Sequence, residues 1–319
     1  MAQSNKTFHC HGRVLELDPA EGADYERPSA TRSRSNGAAA PRGGDRDGGD
    51  GRDDDSRDGS YFLPTDSAEQ DRLDEQHKLC LMLLDGKLGL APVKAPRRVL
   101  DVATGTGIWA IQYAEQQPQA EVVGADLCVF QHESPAANCS FVRLDVEKDA
   151  WGLDHGFDYI HFRYVLSCFD DTRAVIGTAF DHLSPGGYVE FHDFVFSIVD
   201  LDGSFKGTAL ERWQAAVSRG AASVGRDLNK AVLYPGWCRD AGFVDVTETL
   251  FPLPFGTWVR GAAMKRLGEA AVRNIRALIG GSLRSFLELA GLSKSEMEEL
   301  IDEAMEDTRD PNIHYAGTV

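Results

Sequence analysis

Long apolar runs, paired cysteines and an excess of basic residues are all missing from this sequence of 319 residues. Because no run of about 18 apolar residues is present, we expect no membrane-spanning helix. The opening residues, MAQSNKTFHCHGR, lack the apolar stretch of a secretory signal. The six cysteines are scattered and form no CxxC pair. We therefore expect reduced thiols, no metal site, and a cytoplasmic or nuclear protein.

The shortage of basic residues weighs against one class of partner. The net charge is −17, and residues 1–60 hold 9 basic and 12 acidic residues, so the remaining −14 lies in residues 61–319. A folded region this acidic repels the phosphate backbone of nucleic acids. We therefore do not expect nucleic acid to be a partner or a substrate.

One segment lacks large apolar side chains altogether. Residues 29–60 contain no Val, Ile, Leu, Met, Phe, Trp or Tyr. Such a segment cannot bury enough apolar surface to offset the entropy lost on ordering. We expect residues 1–60 to be a disordered tail, which could serve as a docking segment for a protein partner.

Residues 61–319 carry the periodic patterns of a folded domain. Residues 61–90 predict a lead-in helix, capped by Asp66 or Ser67. Residues 97–200 alternate short β-rich runs with helical stretches, which predicts a doubly wound α/β sheet with parallel, Rossmann-like strands. Residues 201–319 predict the last strands together with helices that cover the site, the last helix being capped by Ser293.

The stretch VLDVATGTGIWAI, Val99 to Ile111, predicts a strand, a glycine-bearing turn and a helix. Gly105 and Gly107 allow a ligand to approach the backbone closely. Ala103 stands where such loops usually carry their first glycine, and we expect it to be tolerated with φ below zero. A dinucleotide site would need G-x-G-x-x-G, with Ala110 in the third glycine position. Asp101, at the end of the strand, instead favours a cationic amino-acid group such as that of S-adenosylmethionine.

Two further acids end the next two strands of the predicted sheet. Asp126 lies 25 residues after Asp101, where an acid typically binds ribose hydroxyls. Asp145 ends the third strand and could accept a hydrogen bond from an adenine amino group, while Val146 packs on the ring. Tyr61 is a further candidate contact to the cofactor.

These motifs together resemble the LaeA-like branch of fungal class I methyltransferases that use S-adenosylmethionine, over about Tyr61 to His314. The segments that carry the resemblance are YFLPTDSAEQDRLDEQHKL, GTGIWAI, ADL, the segment around Gln131, FDYIHFR, LSPGGYVEFHDF, GTALERW, GRDL, AGFVDV and DPNIHY. The resemblance implies a seven-stranded sheet and a cofactor site that includes Thr104 and Leu127. It also implies a role in secondary metabolism, either as an enzyme or as a regulator of gene clusters.

Methyl transfer from a sulfonium needs little acid–base chemistry, because the methyl group is already activated. A base helps only when the acceptor must lose a proton, and His192 and His161 are the candidates. Arg163, Glu190 and Asp193 lie beside them at the ends of two predicted strands. The alternative is that His161 and Arg163 only brace the end of the sheet.

Four functions remain open at this point. The first is methyl transfer to a small molecule in fungal secondary metabolism. The second is a regulator that acts through protein partners, and the third is a protein that keeps the fold without catalysis. The fourth, an NAD-dependent oxidoreductase, is disfavoured by the acid that ends the first strand.

Overall fold

The structure is a computed structural model, which describes residues 7–10, 13–18, 64, 66–128, 136–153 and 156–319. Tyr61 and the segment around Gln131 lie outside these residues. None of the helices in the described ranges has the length and apolar character needed to cross a membrane.

A parallel five-stranded sheet forms the centre of the fold. In chain order, its strands are β3 (Arg98–Val102), β4 (Glu121–Asp126), β5 (Cys139–Arg143), β6 (Phe157–Arg163) and β7 (Leu183–His192). They are arranged in the order β5-β4-β3-β6-β7. The central strands are buried along almost their whole length, as expected for a parallel sheet with helices on its faces. The predicted α/β class is confirmed.

Three helices belong to this part of the chain. They are α1 (Ser67–Leu83), α2 (Ile108–Gln116) and α3 (Thr172–His182). Asp66 caps α1 by accepting a hydrogen bond from the Glu69 amide at 2.9 Å, so the predicted cap is confirmed. Helix α2 covers one face of β3 and β6 through Trp109 and Tyr113, which pack with Val99 and Tyr159.

A second, antiparallel sheet contains β8 (Val195–Asp200), β9 (Pro252–Pro254) and β10 (Tyr315–Thr318), in the order β8-β10-β9. The single seven-stranded sheet that the resemblance implied is therefore not formed, since the chain builds a five-stranded and a three-stranded sheet with eight strands between them. The apolar pattern of GYVEFHDFVF is continuous and by itself predicts one strand, but the chain leaves the first sheet after His192 and enters the second at Val195. The prolines that bound β9 cannot donate ladder hydrogen bonds, which keeps this edge strand short.

Four helices of the C-terminal region share an apolar core with this second sheet, namely α4 (Ala209–Ser223), α6 (Ala262–Ala277), α7 (Arg284–Leu289) and α8 (Lys294–Asp307). Helix α5 (Tyr234–Ala241) instead packs on α3 and β7 of the parallel sheet. A 3₁₀ turn (Lys230–Leu233) precedes α5, and a π-helical turn (Leu278–Ser282) follows α6. The predicted capping box of Ser293 and Glu296 is present at the start of α8. A large apolar core joins these helices to α1 through Leu79 and Leu83.

Part of the segment expected to be disordered is ordered in the structure. Residues Thr7–Cys10 (β1) and Arg13–Glu16 (β2) pair as antiparallel strands, and Leu17 bridges to Val259. Leu15 is fully buried against Trp258, Val259 and Ala316. The expectation overlooked the apolar alternation in RVLEL, because it was based on residues 29–60, which lie outside the described ranges.

Candidate functional site

A cavity opens at the carboxyl edge of the parallel sheet, the usual place for a ligand in this architecture. Asp101 lies at the end of β3, Asp126 ends β4, and Asp145 follows β5. All three line the cavity. The other predicted cofactor residues that line it are Ala103, Thr104, Gly105, Leu127 and Val146. Gly107 is not among the lining residues and instead forms the N-cap of α2. The structure therefore brings together the strand ends that the sequence singled out.

The loop from Ala103 to Gly107 turns through left-handed backbone conformations. Gly105 has φ 58° and Gly107 has φ 75°, as expected for glycine in a tight turn. Ala103, however, has φ 54°, so the expectation that its φ would lie below zero is wrong. The first loop position needs the same left-handed geometry as the glycines, and the methyl group of Ala103 makes that geometry costly.

Asp101 and Asp126 are carboxyl groups held largely away from water. Asp101 is 3% exposed, and its Oδ2 accepts a hydrogen bond from the Thr104 hydroxyl at 2.5 Å. Asp126 accepts from the Gly105 amide at 2.8 Å and from the Cys128 amide at 3.1 Å. Burial raises the pKa of each of these two carboxyls to about 6. A cationic or hydrogen-bond-donating ligand would therefore stabilise the ionised form of both carboxyls.

Asp145 shapes the turn that follows β5. Its Oδ1 accepts hydrogen bonds from the amides of Glu147 at 3.1 Å and Lys148 at 3.2 Å. The side chain of Val146 is buried in the neighbouring core, and its carbonyl accepts from the Trp151 indole at 3.0 Å. Trp151 thus anchors the loop and is not among the described residues that line the cavity.

The structure does not place His161 and His192, the two candidate bases, at the cavity wall. Neither is among the described residues that line the cavity, and the side chain of His161 is fully buried. His161 lies beneath the site, hydrogen-bonded to Asp101 at 2.7 Å and stacked on Trp109 at 3.8 Å. Burial lowers the pKa of His161 well below its usual range. This geometry supports a role for both histidines in the support of Asp101. Neither histidine is placed to take a proton from a methyl acceptor in the cavity.

Several residues of the cavity wall were missed by the sequence analysis. Tyr164 follows β6 with φ 55°, a strained conformation for a bulky side chain, and it lines the cavity. Arg226 lines it from GRDL, one of the segments that carry the family resemblance. The second sheet and its helices add apolar side chains from Phe194, Phe196, Leu253, Phe255, Ile275 and Leu278. Only the tertiary arrangement brings these distant segments together, so no local signal could have revealed them.

Among the residues that the structure describes, no group of three or more His, Cys, Asp or Glu side chains could hold a metal ion. The five cysteines with described side chains, Cys80, Cys128, Cys139, Cys168 and Cys238, are not joined by disulfides.

Comparison with known proteins decides between the families that the loop left open. Residues 74–248 match a family profile described as a methyltransferase domain. Methyltransferase pytC of Aspergillus terreus is 33% identical over 261 residues, which cover 80% of each chain. The protein-methionine methyltransferase laeA of Emericella nidulans is 34% identical over 211 residues, 63% of this chain and 55% of that protein. The chain belongs to the LaeA-like fungal methyltransferases.

Another similar protein of this family is the probable methyltransferase tdiE of Emericella nidulans. It is 27% identical over 266 residues, which cover 79% of this chain and 81% of that protein. The chain is therefore a methyltransferase that uses S-adenosylmethionine and acts on a methyl acceptor, within a family of fungal secondary metabolism. The dinucleotide alternative is excluded by this membership.

Proposed function

We propose that this methyltransferase transfers the methyl group of S-adenosylmethionine to a small, largely apolar molecule. The observation that carries the proposal is the division of the cavity wall. Three acids come from the parallel sheet, whereas the second sheet and its helices contribute mainly aliphatic and aromatic side chains. One part of the wall thus suits a polar, cationic cofactor and the other an apolar acceptor.

The residues at the strand ends fit the parts of the cofactor one by one. Asp101 is a buried carboxylate suited to the ammonium of the methionine part. Asp126 has a carboxylate fixed by two backbone amides and suited to the ribose hydroxyls. Asp145 and Val146 suit the adenine amino group and ring, and the left-handed loop from Ala103 to Gly105 lets the backbone approach closely. Tyr61 stays a predicted contact outside the described residues.

An apolar acceptor is supported by the residues beyond the parallel sheet. Phe194, Phe196 and Phe255 line the cavity together with leucine and isoleucine side chains. Nucleic acid as the acceptor is disfavoured by the charge of −14 over residues 61–319. Helix α1 covers the loop, since the Leu73 side chain lies 3.6 Å from the position that a Cβ would take on Gly105.

Positioning is the main catalytic task that this site has to perform. When bound, S-adenosylmethionine supplies an activated methyl group on its sulfonium. The chain's own residues then have to hold the acceptor in line and exclude water, which is where proximity and orientation lower the barrier. The apolar wall and the covering helix α1 are suited to both tasks, and no base at His161 or His192 is required.

The assignment of Asp126 to the ribose can be tested by isothermal titration calorimetry with S-adenosylmethionine. We expect Asp126→Asn to weaken binding about tenfold or more, because loss of a charge-assisted hydrogen bond costs about 1.5–3 kcal/mol. Glu115→Gln, a matched change at an exposed position of α2, should bind like the wild type. Equal affinity in the two variants would refute the ribose assignment.

A regulatory function is a second proposal, supported by the 34% identity with laeA of Emericella nidulans, which is also named a secondary metabolism regulator. In this proposal the N-terminal tail binds a protein partner. Because Leu15 packs on the folded domain, the deletion that tests this function should remove residues 19–60 only. Loss of partner capture with unchanged cofactor affinity would support it, whereas unchanged capture would count against the tail.

We also propose a cytoplasmic or nuclear location, supported by the described cysteines, none of which is in a disulfide. A fluorescent fusion expressed in a fungal host would test this location directly. Accumulation in the secretory pathway would contradict it.

A further inference from the structure

A chain of four side chains runs beneath the cofactor loop, from the buried Asp101 through the buried His161 and His192 to the partly buried Glu190. His161 Nδ1 lies 2.7 Å from Asp101 Oδ1, and its Nε2 lies 3.3 Å from His192 Nδ1. His192 Nε2 lies 2.6 Å from Glu190 Oε1. The strand register produces this chain, because His161 is the register partner of both Asp101 on β3 and Glu190 on β7.

Glu190 is held as a carboxylate by donors other than His192. Its oxygens accept hydrogen bonds from the Leu90 amide at 2.7 Å, the Ala91 amide at 2.8 Å and the Tyr159 hydroxyl at 2.8 Å. Burial alone would raise its pKa, but the bonds from His192 and these amides lower the pKa of Glu190 to about 2. The segment after α1 comes this close because Gly89 has no side chain. A Cβ there would lie 2.5 Å from the Tyr159 hydroxyl.

Counting hydrogens shows that the chain must hold one extra proton. Three hydrogen bonds link the four groups, and each bond contains one hydrogen. Glu190 is ionised, so His192 donates from Nε2. If Asp101 is also ionised, His161 donates to it from Nδ1, and the hydrogen between the two rings lies on either His161 Nε2 or His192 Nδ1. His161 is fully buried and burial lowers its pKa, so this hydrogen belongs on His192 Nδ1 and His161 Nε2 accepts. His192 is then an imidazolium with a proton on each nitrogen.

In one alternative arrangement, the three hydrogen bonds are kept and both histidines are neutral, because the extra proton lies on Asp101. His192 Nδ1 gives its proton to His161 Nε2, and His161 Nδ1 passes its own proton to Asp101, which becomes a neutral acid. The net charge of the four groups is −1 in both arrangements. The two arrangements differ only in whether Asp101 is ionised, and this determines whether it attracts a cation.

The charged groups around the chain determine which arrangement is preferred. Arg163 and His77 stabilise the ionised form of Asp101, and so does an imidazolium at His192, whereas the nearby Asp126 opposes it. His161 is packed between Trp109 and the sheet, with Tyr159 beside it, and burial disfavours a charge there. Glu190 provides the counter-charge for a proton on His192.

We propose that His161, His192 and Glu190 are positioning residues that keep Asp101 ionised for the ammonium of the cofactor by holding the shared proton on His192. This inference rests on the proposed placement of the ammonium at Asp101. The ammonium draws the chain into the arrangement with the proton beside Glu190. Protonation of Asp101 competes with the ammonium, so cofactor affinity depends on pH through this buried chain.

The test compares two ligands over pH 5 to 7.5 by calorimetry with the full-length chain. S-Adenosylmethionine carries the ammonium, whereas 5′-methylthioadenosine has the same adenosine without the amino-acid part. The ratio of their affinities cancels the pH dependence of Asp126, which contacts adenosine in both. Because the pKa of Asp101 is raised to about 6, the ratio should be constant above that pH and fall about tenfold per unit below it.

The variants His192→Gln and Glu190→Gln test whether the pH dependence comes from Asp101 alone or also from the side chains linked to it. His192→Gln removes the site that holds the proton as a cation, and Glu190→Gln removes the counter-charge of that cation, so in both variants Asp101 should become protonated at higher pH. The midpoint of the affinity ratio should then move up by about one pH unit. His314→Gln is the matched control, because His314 also pairs with a carboxylate, Asp202 at 2.6 Å, but does not line the cavity.

Three outcomes are distinguishable. A ratio whose midpoint is the same in wild type and both variants overturns the proposed chain. A wild type that binds neither ligand overturns the cofactor site itself. If the variants do not fold, ¹⁵N NMR of the wild-type complex at pH 7 tests the same point: two protonated ring nitrogens on His192 support the chain, and one unprotonated nitrogen overturns it.

Discussion

Ala103 holds a backbone conformation that glycine adopts easily and alanine does not. Its φ of 54° lies in the left-handed region, which costs a residue with a Cβ about 1–2 kcal/mol. The residue also lies in the wall of the cavity, next to Thr104 and Asp101. Strain of this kind is often found at binding sites, where the surrounding structure holds it in place.

Replacing Ala103 with glycine should therefore stabilise the protein. We expect Ala103→Gly to raise the free energy of unfolding by up to about 1 kcal/mol, since the relief of strain exceeds the entropy that glycine loses. Ala95, with φ 46° and exposed, gives a matched control outside the cavity. Ala95→Gly should stabilise the fold similarly without changing cofactor affinity. A lower melting temperature for Ala103→Gly would contradict this explanation.

For single residues, the sequence predicted which side chains lie at the cavity better than it predicted their backbone angles. Asp101, Asp126 and Asp145 could be placed together because each ends or follows a strand of a parallel sheet. The φ of Ala103 and of Tyr164 could not be predicted, because a left-handed alanine or tyrosine is improbable without tertiary constraints. The partners of His161 and His192 depend on the register of three strands, which the sequence does not reveal.

Helix α1 is held over the cavity by a buried ion pair rather than by apolar contacts alone. Glu69 and Arg72 are 5% and 8% exposed, and Arg72 donates to Glu69 at 2.6 and 2.8 Å. Arg72 also donates to Asn274 on α6, and the Ser282 hydroxyl donates to Glu69. Because Arg72 and Asn274 both line the cavity, this cluster joins α1 to the helices on the other side of the site.

Breaking this ion pair should loosen the covering helix. We expect Glu69→Ala to lower the free energy of unfolding by about 3 kcal/mol, because it leaves the guanidinium of Arg72 buried without its counter-charge. Denaturant unfolding measures this loss. Glu75→Gln is the control on the same helix, since the Glu75–Lys78 pair is exposed to solvent and should leave the midpoint unchanged. Equal effects of the two substitutions would show that the buried pair does not hold α1.

The helices were predicted more fully than the strands. The periodicity and caps of α1 and α8 are local signals, and both caps appear where they were expected. The break between β7 and β8 was missed because the apolar pattern continues through it. The order of β2 was missed because the burial of its Leu15 depends on Trp258 and Val259, more than 200 positions away along the chain.

At the scale of the whole molecule, the site lies where two differently built halves meet. The parallel sheet brings its strand ends and their acids to one wall of the cavity. The antiparallel sheet of β8, β9 and β10, with α4, α6, α7 and α8, supplies the apolar wall and most of the large core. Periodicity predicted the first half and the helices of the second, but the way the halves meet depends on long-range packing. That junction is the basis for proposing an apolar acceptor.

In the proposed function, the three strand-end acids bind one molecule of cofactor across the carboxyl edge of the parallel sheet. A crystal structure with S-adenosylhomocysteine, the product form of the cofactor, would show this placement atom by atom. We expect its ammonium within hydrogen-bond distance of Asp101, its ribose hydroxyls on Asp126, and its adenine beside Asp145 and Val146. A product bound away from these carboxylates, or in the reverse orientation along them, would contradict it.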